Sequence, residues 1–259
     1  MIDSHCHIND QPFIDDIDSY IKDANKNGVD SFLVVGCNLK TSVDAVKIAT
    51  NFKECYAAVG IHPSDAKEAS KNDLIEIEKL ISKKVIAVGE IGLDYYWDKD
   101  ENIKDLQRKY FISQIELANK YNLPISIHCR DAYGDCLQIL KEHPVKKGGV
   151  LHAYAGSSEL AKEFIKLGFY FGFGGTVTFK NAHNIKTNCK FIPLERILLE
   201  TDAPYLTPTP HRGETNHSKY LVFIRDEIAR IKNVSSEIVD NITTENFRKL
   251  FLWKNKLME

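Results

Sequence analysis

The feature that most constrains the fold is a regular alternation of two kinds of segment along the whole chain. Short apolar runs rich in β-branched residues alternate with longer runs whose apolar residues recur every three or four positions. The first kind is typical of buried strands and the second of amphipathic helices. The strand-like segments are Ile2–His7, Phe32–Val35, Tyr56–Ile61, Val85–Ile91, Ile125–Cys129, Val150–Tyr154, Phe169–Phe173 and Ile197–Glu200. Eight strands, each followed by a helix, predict an α/β fold, a closed parallel (β/α)8 barrel of the TIM type.

An open, doubly wound sheet is the alternative, and it usually has a glycine-rich first turn. Residues 5–10 read HCHIND instead. The helical pattern is clearest between Leu106 and Tyr121, and it stops at Asn122-Leu123-Pro124 because proline cannot continue a helix. The chain has 259 residues and contains no linker or low-complexity tract. The sequence therefore predicts a single barrel domain over residues 1–259.

Histidines and carboxylates follow the predicted strands where each strand ends. His5 and His7 are two residues apart, so both side chains point to one face of the first strand, while Cys6 points toward the helices as a small buried residue. Four further strands end at Glu90, His128, His152 and Asp202. Because the carboxyl ends of parallel strands meet at one mouth of a barrel, these side chains converge there.

Such a set of buried ionisable groups needs compensation, and metal ions provide it. Mixed imidazole and carboxylate donors suit zinc, manganese or magnesium in open catalytic sites. Six donors divide over two ions with one carboxylate bridging them. Two ions roughly 3.5–4 Å apart can activate a water molecule and stabilise the attacking and leaving oxygens of a phosphodiester. The sequence therefore predicts two divalent metal ions (Zn, Mg or Mn) at the strand ends.

Several short strings carry more information than the single residues in them. They are Ser4-His5-Cys6-His7, Gly60-Ile61-His62-Pro63, GEIGLDYY at 89–96, IHCRDA at 127–132, Leu151-His152 and LETDAPYL at 199–206. In this order, and continuing to the stretches TENF at 244–247 and Leu250-Phe251, they resemble the TatD family of metal-dependent deoxyribonucleases. The resemblance covers essentially the whole chain.

The resemblance implies a barrel of the amidohydrolase kind that hydrolyses DNA, often from the 3′ end. It implies that one metal ion is held by His5, His7, Glu90 and Asp202. It implies that a second ion is held by Glu90, His128 and His152, with Glu90 bridging the two. Glu90 and Asp202 are thereby the predicted catalytic residues. Asp202 either takes the proton from the attacking water as well as binding metal, or it binds metal only.

Four further residues are predicted to contact the substrate: His62, Arg130, Arg212 and Tyr95. His62 precedes Pro63, and a histidine hydrogen-bonded within the loop is equally consistent with that position. Arg130 and Arg212 lie on strand-to-helix loops, where a guanidinium can grip phosphate through two bonds. The alternative for both is a salt bridge at the barrel rim, with Asp131 or Glu214. Tyr95 either stacks on a base or packs beneath its loop.

Charge and composition limit the remaining function classes. The net charge of −2 excludes histone-like binding of nucleic acid, but not a local metal site that binds phosphate. One alternative is a binuclear hydrolase of a small amide, lactone or aminoacyl ester. In many such hydrolases a carboxylated lysine on a middle strand bridges the metals, whereas this chain has Glu90 at the corresponding strand end. A second alternative is a non-catalytic nucleic-acid-binding barrel, against which the full donor set argues. The expected partner is DNA, with RNA as an alternative substrate.

The same composition predicts where the protein works. No apolar run is long enough to span a membrane, and the first residues lack the pattern of a secretion signal. The six cysteines are scattered without a Cys-x-x-Cys pair, which is typical of reduced thiols. We therefore expect a cytoplasmic protein with no membrane contact and no obligate protein partner.

Overall fold

The computed structural model describes residues 1–252, which form a barrel of parallel strands surrounded by helices. The strands are β1 (Ile2–Cys6), β2 (Ser31–Val35), β3 (Cys55–Val59), β4 (Val85–Asp94), β5 (Ile125–Arg130), β6 (Gly149–Leu151), β7 (Tyr170–Phe173) and β8 (Ile197–Leu199). The helices are α1 (Ile17–Lys26), α2 (Leu39–Asn51), α3 (Lys71–Lys79), α4 (Glu101–Tyr121), α5 (Tyr133–Glu142), α6 (Ser158–Lys166), α7 (His183–Phe191), α8 (Leu221–Lys232) and α9 (Ser236–Phe247). Each strand pairs in parallel with the next one along the chain. The predicted (β/α)8 architecture is confirmed.

The barrel closes between β1 and the residues that follow β8. The backbone N–H of Asp202 donates to the carbonyl of His5 at 2.9 Å, and that of His7 donates to the carbonyl of Ala203 at 2.8 Å. These bonds continue the sheet around the circle, so the barrel is nearly closed. The seam passes through three of the predicted metal-binding positions, and its backbone bonds hold those residues at the same height.

Alternation along the strands separates two layers of core. On β2, Phe32 and Val34 pack against the helices, whereas Leu33 and Val35 fill the barrel interior. This is the period-two pattern of a strand with a buried surface on both sides. Each of these four side chains is fully removed from solvent. Burial of one such side chain contributes roughly 1.5–3 kcal/mol.

The sequence predicts one helix per strand, and that prediction is incomplete because the structure adds α9. Phe247 at its end and Phe251 beyond it join the cluster that fills the barrel interior. The Asn246 side-chain amide donates to the carbonyls of Leu194 and Ile197, both at 2.8 Å. Because Ile197 begins β8, α9 covers the amino-terminal end of the barrel. The carboxyl end of the strands is left as the open mouth.

Several loops at the mouth begin with a left-handed backbone. The residues involved are Asp131 (φ 54), Ala153 (φ 43), Asp202 (φ 58) and Leu206 (φ 55). This region is sparsely populated by residues other than glycine. The left-handed residues Ala153 and Asp202 explain why β6 and β8 end earlier than the sequence predicts, since the chain turns sharply toward the mouth at these positions. Of residues 1–252, no helix is both long and apolar enough to cross a membrane.

Candidate metal centre

A cavity of about 330 Å³ opens at the carboxyl ends of the strands. Five of the six predicted metal ligands line it: His7, Glu90, His128, His152 and Asp202. The sixth, His5, is buried beside them, and its ring stacks on that of His152 with centroids 3.7 Å apart. The structure therefore brings all six predicted donors together.

The first group of donor atoms consists of His5 Nε2, His7 Nε2, Asp202 Oδ1 and Glu90 Oε2. The two histidine nitrogens are 3.2 Å apart. His5 Nε2 lies 3.4 Å from Glu90 Oε2 and 3.8 Å from Asp202 Oδ1, and His7 Nε2 lies 3.8 Å and 3.3 Å from the same atoms. Ligands arranged tetrahedrally about 2.1 Å from an ion are about 3.4 Å from one another. The spacing of His5, His7 and Asp202 fits one metal ion, and Glu90 Oε2 lies within 3.8 Å of both histidine nitrogens.

The second group surrounds the other oxygen of Glu90. Oε1 lies 3.0 Å from His128 Nδ1, and 3.7 Å from both His152 Nε2 and His62 Nε2. Burial by itself raises the pKa of Glu90, but the surrounding histidines outweigh it and hold that pKa well below its usual range. The buried carboxylate is therefore ionised, with one oxygen facing each group.

Two carboxylates that the sequence did not single out hold the histidines of the second group. Asp94 Oδ2 lies 3.0 Å from His128 Nε2, and Glu200 Oε1 lies 3.0 Å from His152 Nδ1. A carboxylate on the outer nitrogen of a metal-binding histidine fixes the ring and raises its basicity. Gly172 makes room for this arrangement, since a Cβ there would overlap the Glu200 carboxylate. Both acids stand in the strings that resemble the TatD family, which was the available signal.

The histidines of the first group have neutral partners instead. His7 Nδ1 lies 3.1 Å from the carbonyl of Val35, and His5 Nδ1 lies 3.4 Å from the Ser126 hydroxyl. The carbonyl can only accept, so His7 Nδ1 carries the hydrogen and leaves Nε2 free to bind a metal ion. The outer nitrogens of His5, His7 and His128 thus each have a hydrogen-bond partner, and that of His152 has none but faces a carboxylate oxygen 3.0 Å away. The residues fit a metal centre.

Charge around His152 couples metal binding to protons. Burial lowers the pKa of His152, but the nearby Glu200, Asp202 and Glu90 carboxylates outweigh it and raise the pKa to about 10. A metal ion that binds this nitrogen must therefore displace a proton at neutral pH.

His62 lies within metal-binding distance of Glu90 and His128, but its hydrogen bonds point to another role. Its Nδ1 accepts from the backbone N–H of Ser64 at 3.1 Å. A backbone N–H can only donate, so Nδ1 is unprotonated and Nε2 carries the hydrogen in the neutral ring. Burial also lowers the pKa of His62, to about 3, which keeps the ring neutral. His62 therefore presents an N–H donor to the cavity rather than a lone pair.

Cys37 is a further residue at the centre. The sequence predicted only that it is one of six scattered, reduced cysteines. Its Sγ lies 3.8 Å from Glu90 Oε2 and 3.9 Å from His7 Nδ1. Burial raises the pKa of this thiol, so it is neutral in the metal-free protein. Nothing in the sequence distinguishes Cys37 from the other cysteines, because its place at the mouth depends on the turn after β2.

The cavity is acidic. Its carboxylates come from Asp10, Asp65, Glu90 and Asp202, and the described residues that line it include neither lysine nor arginine. A phosphate would meet net negative charge in the metal-free cavity. Anion binding here consequently depends on bound cations.

Neither arginine predicted to grip phosphate lines this cavity. The Arg130 guanidinium carbon lies 3.8 Å from the centre of the Tyr96 ring, and that of Arg212 lies 3.7 Å from the centre of the Phe179 ring. The alternative salt bridges are not found either, because within residues 1–252 Glu214 pairs with His211 and the arginines face rings. Loop position alone did not reveal these stacking partners.

Tyr95 also lies outside the cavity lining. Its hydroxyl donates to Asp135 at 2.8 Å and accepts from Arg108 at 2.8 Å. The side chain is thus fixed against the helices, as in the packing alternative for this residue. Its neighbours Tyr96 and Trp97 are the exposed rings of the loop.

Its parallel barrel, with histidines and carboxylates gathered at the mouth, places this protein in the class of barrels with a candidate metal-binding centre at the strand ends. Comparison with known proteins identifies the family within that class. Residues 2–252 match the model of a family described as TatD related DNase. The chain belongs to the TatD family of metal-dependent hydrolases.

Relatives resemble the chain over nearly its full length. The metal-dependent hydrolase YabD of Bacillus subtilis is 43% identical over 253 residues, covering 97% of this chain and 98% of the relative. The metal-dependent hydrolase YcfH of Escherichia coli is 34% identical over 259 residues, covering 97% and 95%. Among solved structures, the TatD homologue YjjV of Escherichia coli superposes with a TM-score of 0.93 at 29% identity, covering 97% of each chain.

Proposed function

We propose that this protein is a divalent-metal-dependent phosphodiesterase that hydrolyses DNA from the 3′ end, with two metal ions bridged by Glu90. One observation carries the proposal: the two oxygens of a single buried carboxylate face two separate groups of donors. Oε2 lies 3.4 Å from His5 Nε2, and Oε1 lies 3.0 Å from His128 Nδ1. This arrangement suits a pair of ions acting on one phosphodiester. The description of the matching family as a DNase supports DNA as the substrate.

When bound, ions at the two groups would neutralise phosphate charge and lower the pKa of water. The residues of the chain supply the rest. The water oxygen forms a bond with phosphorus as the bond between phosphorus and the 3′ oxygen breaks. Asp202 takes a proton from the attacking water, and the released 3′ oxygen takes up a proton from a second water molecule of the open cavity; Asp202 then returns its proton to solvent. The Nε2–H of His62 donates to a phosphoryl oxygen on which charge develops.

The acidic lining explains why metal ions would be required for binding as well as for hydrolysis. Without them, four carboxylates face the phosphate. With them, the histidine groups present positive charge at the base of an otherwise acidic cavity. Such a site favours a strand end, whose phosphate can enter without bringing many neighbouring phosphates into the acidic wall.

The test is incubation of metal-free protein with end-labelled single- and double-stranded DNA across magnesium, manganese and zinc. We expect metal-dependent shortening from the 3′ end, seen as a ladder on a sequencing gel. Absence of cleavage in every metal, with rapid hydrolysis of small amides, lactones or aminoacyl esters, would move the chain to the other branch of binuclear barrel hydrolases. Metal-dependent binding without cleavage of any of these substrates would favour a non-catalytic role.

A further inference from the structure

The loop after β4 exposes two aromatic rings next to the metal centre. The Tyr96 side chain is 44% exposed and Trp97 is 69% exposed. Their ring centroids are 4.7 Å apart and the ring planes are nearly perpendicular, at 87°. One face of the indole is therefore not covered by its aromatic neighbour. Exposed large aromatics grouped beside a cavity are typical of a binding surface.

A single carboxylate fixes this loop relative to the second group of metal donors. Asp94 Oδ1 accepts from the backbone N–H of Tyr96 at 2.9 Å and from that of Trp97 at 3.2 Å. Its other oxygen, Oδ2, lies 3.0 Å from His128 Nε2. The backbone of the aromatic loop and the His128 ring are thus held by the two oxygens of the same carboxylate. The loop that exposes the rings therefore begins directly beside the second group of donors.

Two cationic side chains lie against these rings, whereas the described residues that line the cavity include none. The Arg130 guanidinium carbon lies 3.8 Å from the centre of the Tyr96 ring and 5.6 Å from that of Trp97. Lys99 Nζ lies 5.8 Å from the Tyr96 ring. A strand leaving the acidic cavity on this side would find positive charge for its backbone and an aromatic face for a base.

We propose that Trp97, backed by Tyr96 and Arg130, is a stacking platform for one unpaired nucleobase of single-stranded DNA next to the phosphate bound at the metal centre. The proposal rests on the proposed function and adds a determinant of specificity to it. Bases in a duplex are already stacked on one another and have no free face to offer. The platform would therefore favour single-stranded ends over paired ones. Loss of one base–aromatic stack weakens binding roughly 5- to 150-fold.

Binding can be measured without relying on cleavage. The probe is a fluorescein-labelled decathymidylate with phosphorothioate linkages, which resist hydrolysis, and the protein is loaded with manganese. Fluorescence anisotropy gives the Kd for the wild type, Trp97→Leu and Trp97→Phe. We expect Kd to rise roughly 5- to 150-fold in Trp97→Leu. In Trp97→Phe, which keeps a ring, we expect a Kd close to that of the wild type.

Phe191 offers a matched control, because its ring is 39% exposed and lies 5.3 Å from Lys162 Nζ, yet it stands at the end of α7. The change Phe191→Leu should leave Kd unchanged. A second probe lacks one base near the 3′ end. Removing the base that stacks on Trp97 should weaken binding to the wild type and have no further effect in Trp97→Leu.

Two results would overturn the platform. One is a Trp97→Leu variant that binds the intact strand as the wild type does. The other is an abasic penalty of the same size in the wild type and the variant at every position tested. Cleavage of an ordinary phosphodiester strand tests the proposed function separately. Binding that depends on Trp97, without cleavage in any metal, would support the platform and overturn the proposed phosphodiesterase activity. Cleavage with the same KM in the wild type and Trp97→Leu would support the phosphodiesterase activity and overturn the platform.

Discussion

Replacing Glu200 by glutamine should weaken metal binding at neutral pH by about 30-fold while the barrel stays folded. Glu200 is completely buried at the end of β8. Its Oε1 accepts from the backbone N–H of Ala153 at 2.6 Å and lies 3.0 Å from His152 Nδ1. Glutamine has nearly the same shape and keeps a carbonyl oxygen for Ala153. The change therefore removes the charge beside His152 with little loss of packing.

The magnitude follows from the charges around His152. The rise of its pKa from the ordinary value of 6.5 to about 10 is about 5 kcal/mol, which is what three carboxylates contribute beyond the opposing effect of burial, with Glu200 acting most strongly. Losing Glu200 thus destabilises the protonated ring by roughly 2 kcal/mol. A divalent ion carries twice the charge of the proton it displaces, so its complex loses about twice as much. The difference, roughly 2 kcal/mol, is a loss of affinity of about 30-fold.

Isothermal titration of manganese into metal-free protein measures this effect. Repeating the titration at about pH 9 in buffers of different ionisation enthalpy counts the protons released. That count should fall in Glu200→Gln because His152, whose pKa of about 10 would be lowered, is then largely deprotonated before metal binds. Glu195→Gln is the control, since Glu195 is exposed and lies two residues before β8, away from the mouth. A Glu200→Gln variant with wild-type affinity and wild-type proton release would refute the reasoning.

The remaining predictions concern the donors, the cavity and acid stability. Glu90→Ala and His128→Ala should each lower kcat/KM about 1000-fold or more with an unchanged circular dichroism spectrum. Full turnover in metal-controlled Glu90→Ala enzyme would contradict the proposal of two metal ions bridged by Glu90. Activity and bound metal, measured together by assay and elemental analysis, should both fall between pH 7 and 5 because protons compete for the histidine ligands; constant values would argue against histidine ligation. His62→Ala should lower kcat at least tenfold with no loss of bound metal, whereas a ligand role predicts that metal is lost too. Burial lowers the pKa of His217 to about 4, so the folded protein should lose stability as pH falls from about 6.5 toward 4, where the unfolded chain takes up the proton first. His217→Gln should recover about 1–3 kcal/mol of this loss at pH 4, measured as Tm in chelator. His183→Gln, at an exposed histidine, should recover none.

The barrel and the positions of its six donors could be predicted because both follow from short sequence patterns of apolar and polar residues. A strand with two buried faces has a recognisable run of apolar residues, and a polar residue at its end is visible in the sequence. His5 and His7 needed only the period of two to be placed on one face. The convergence of the remaining donors then followed from the geometry of parallel strands.

Features that depend on distant parts of the chain were not predictable in this way. The apolar residues of α9 cover the base of the barrel, so their partners are strands far away in the sequence. Asp94 and Glu200 are visible as acids near strand ends, but the ring that each one holds belongs to another strand. The orientation of Arg130 likewise depends on a ring in a different loop, Tyr96.

The left-handed residues at the mouth have a consequence for how such a protein adapts to heat. Holding an ordinary side chain in that conformation costs about 1 kcal/mol or more at each position, and Ala153 and Leu206 are examples. Ala153→Gly would relieve one of them and also loosen the turn that carries the N–H bonded to Glu200. Thermal adaptation that leaves catalysis intact is therefore expected at the opposite end of the barrel, around α9, where stabilising changes leave these turns as they are.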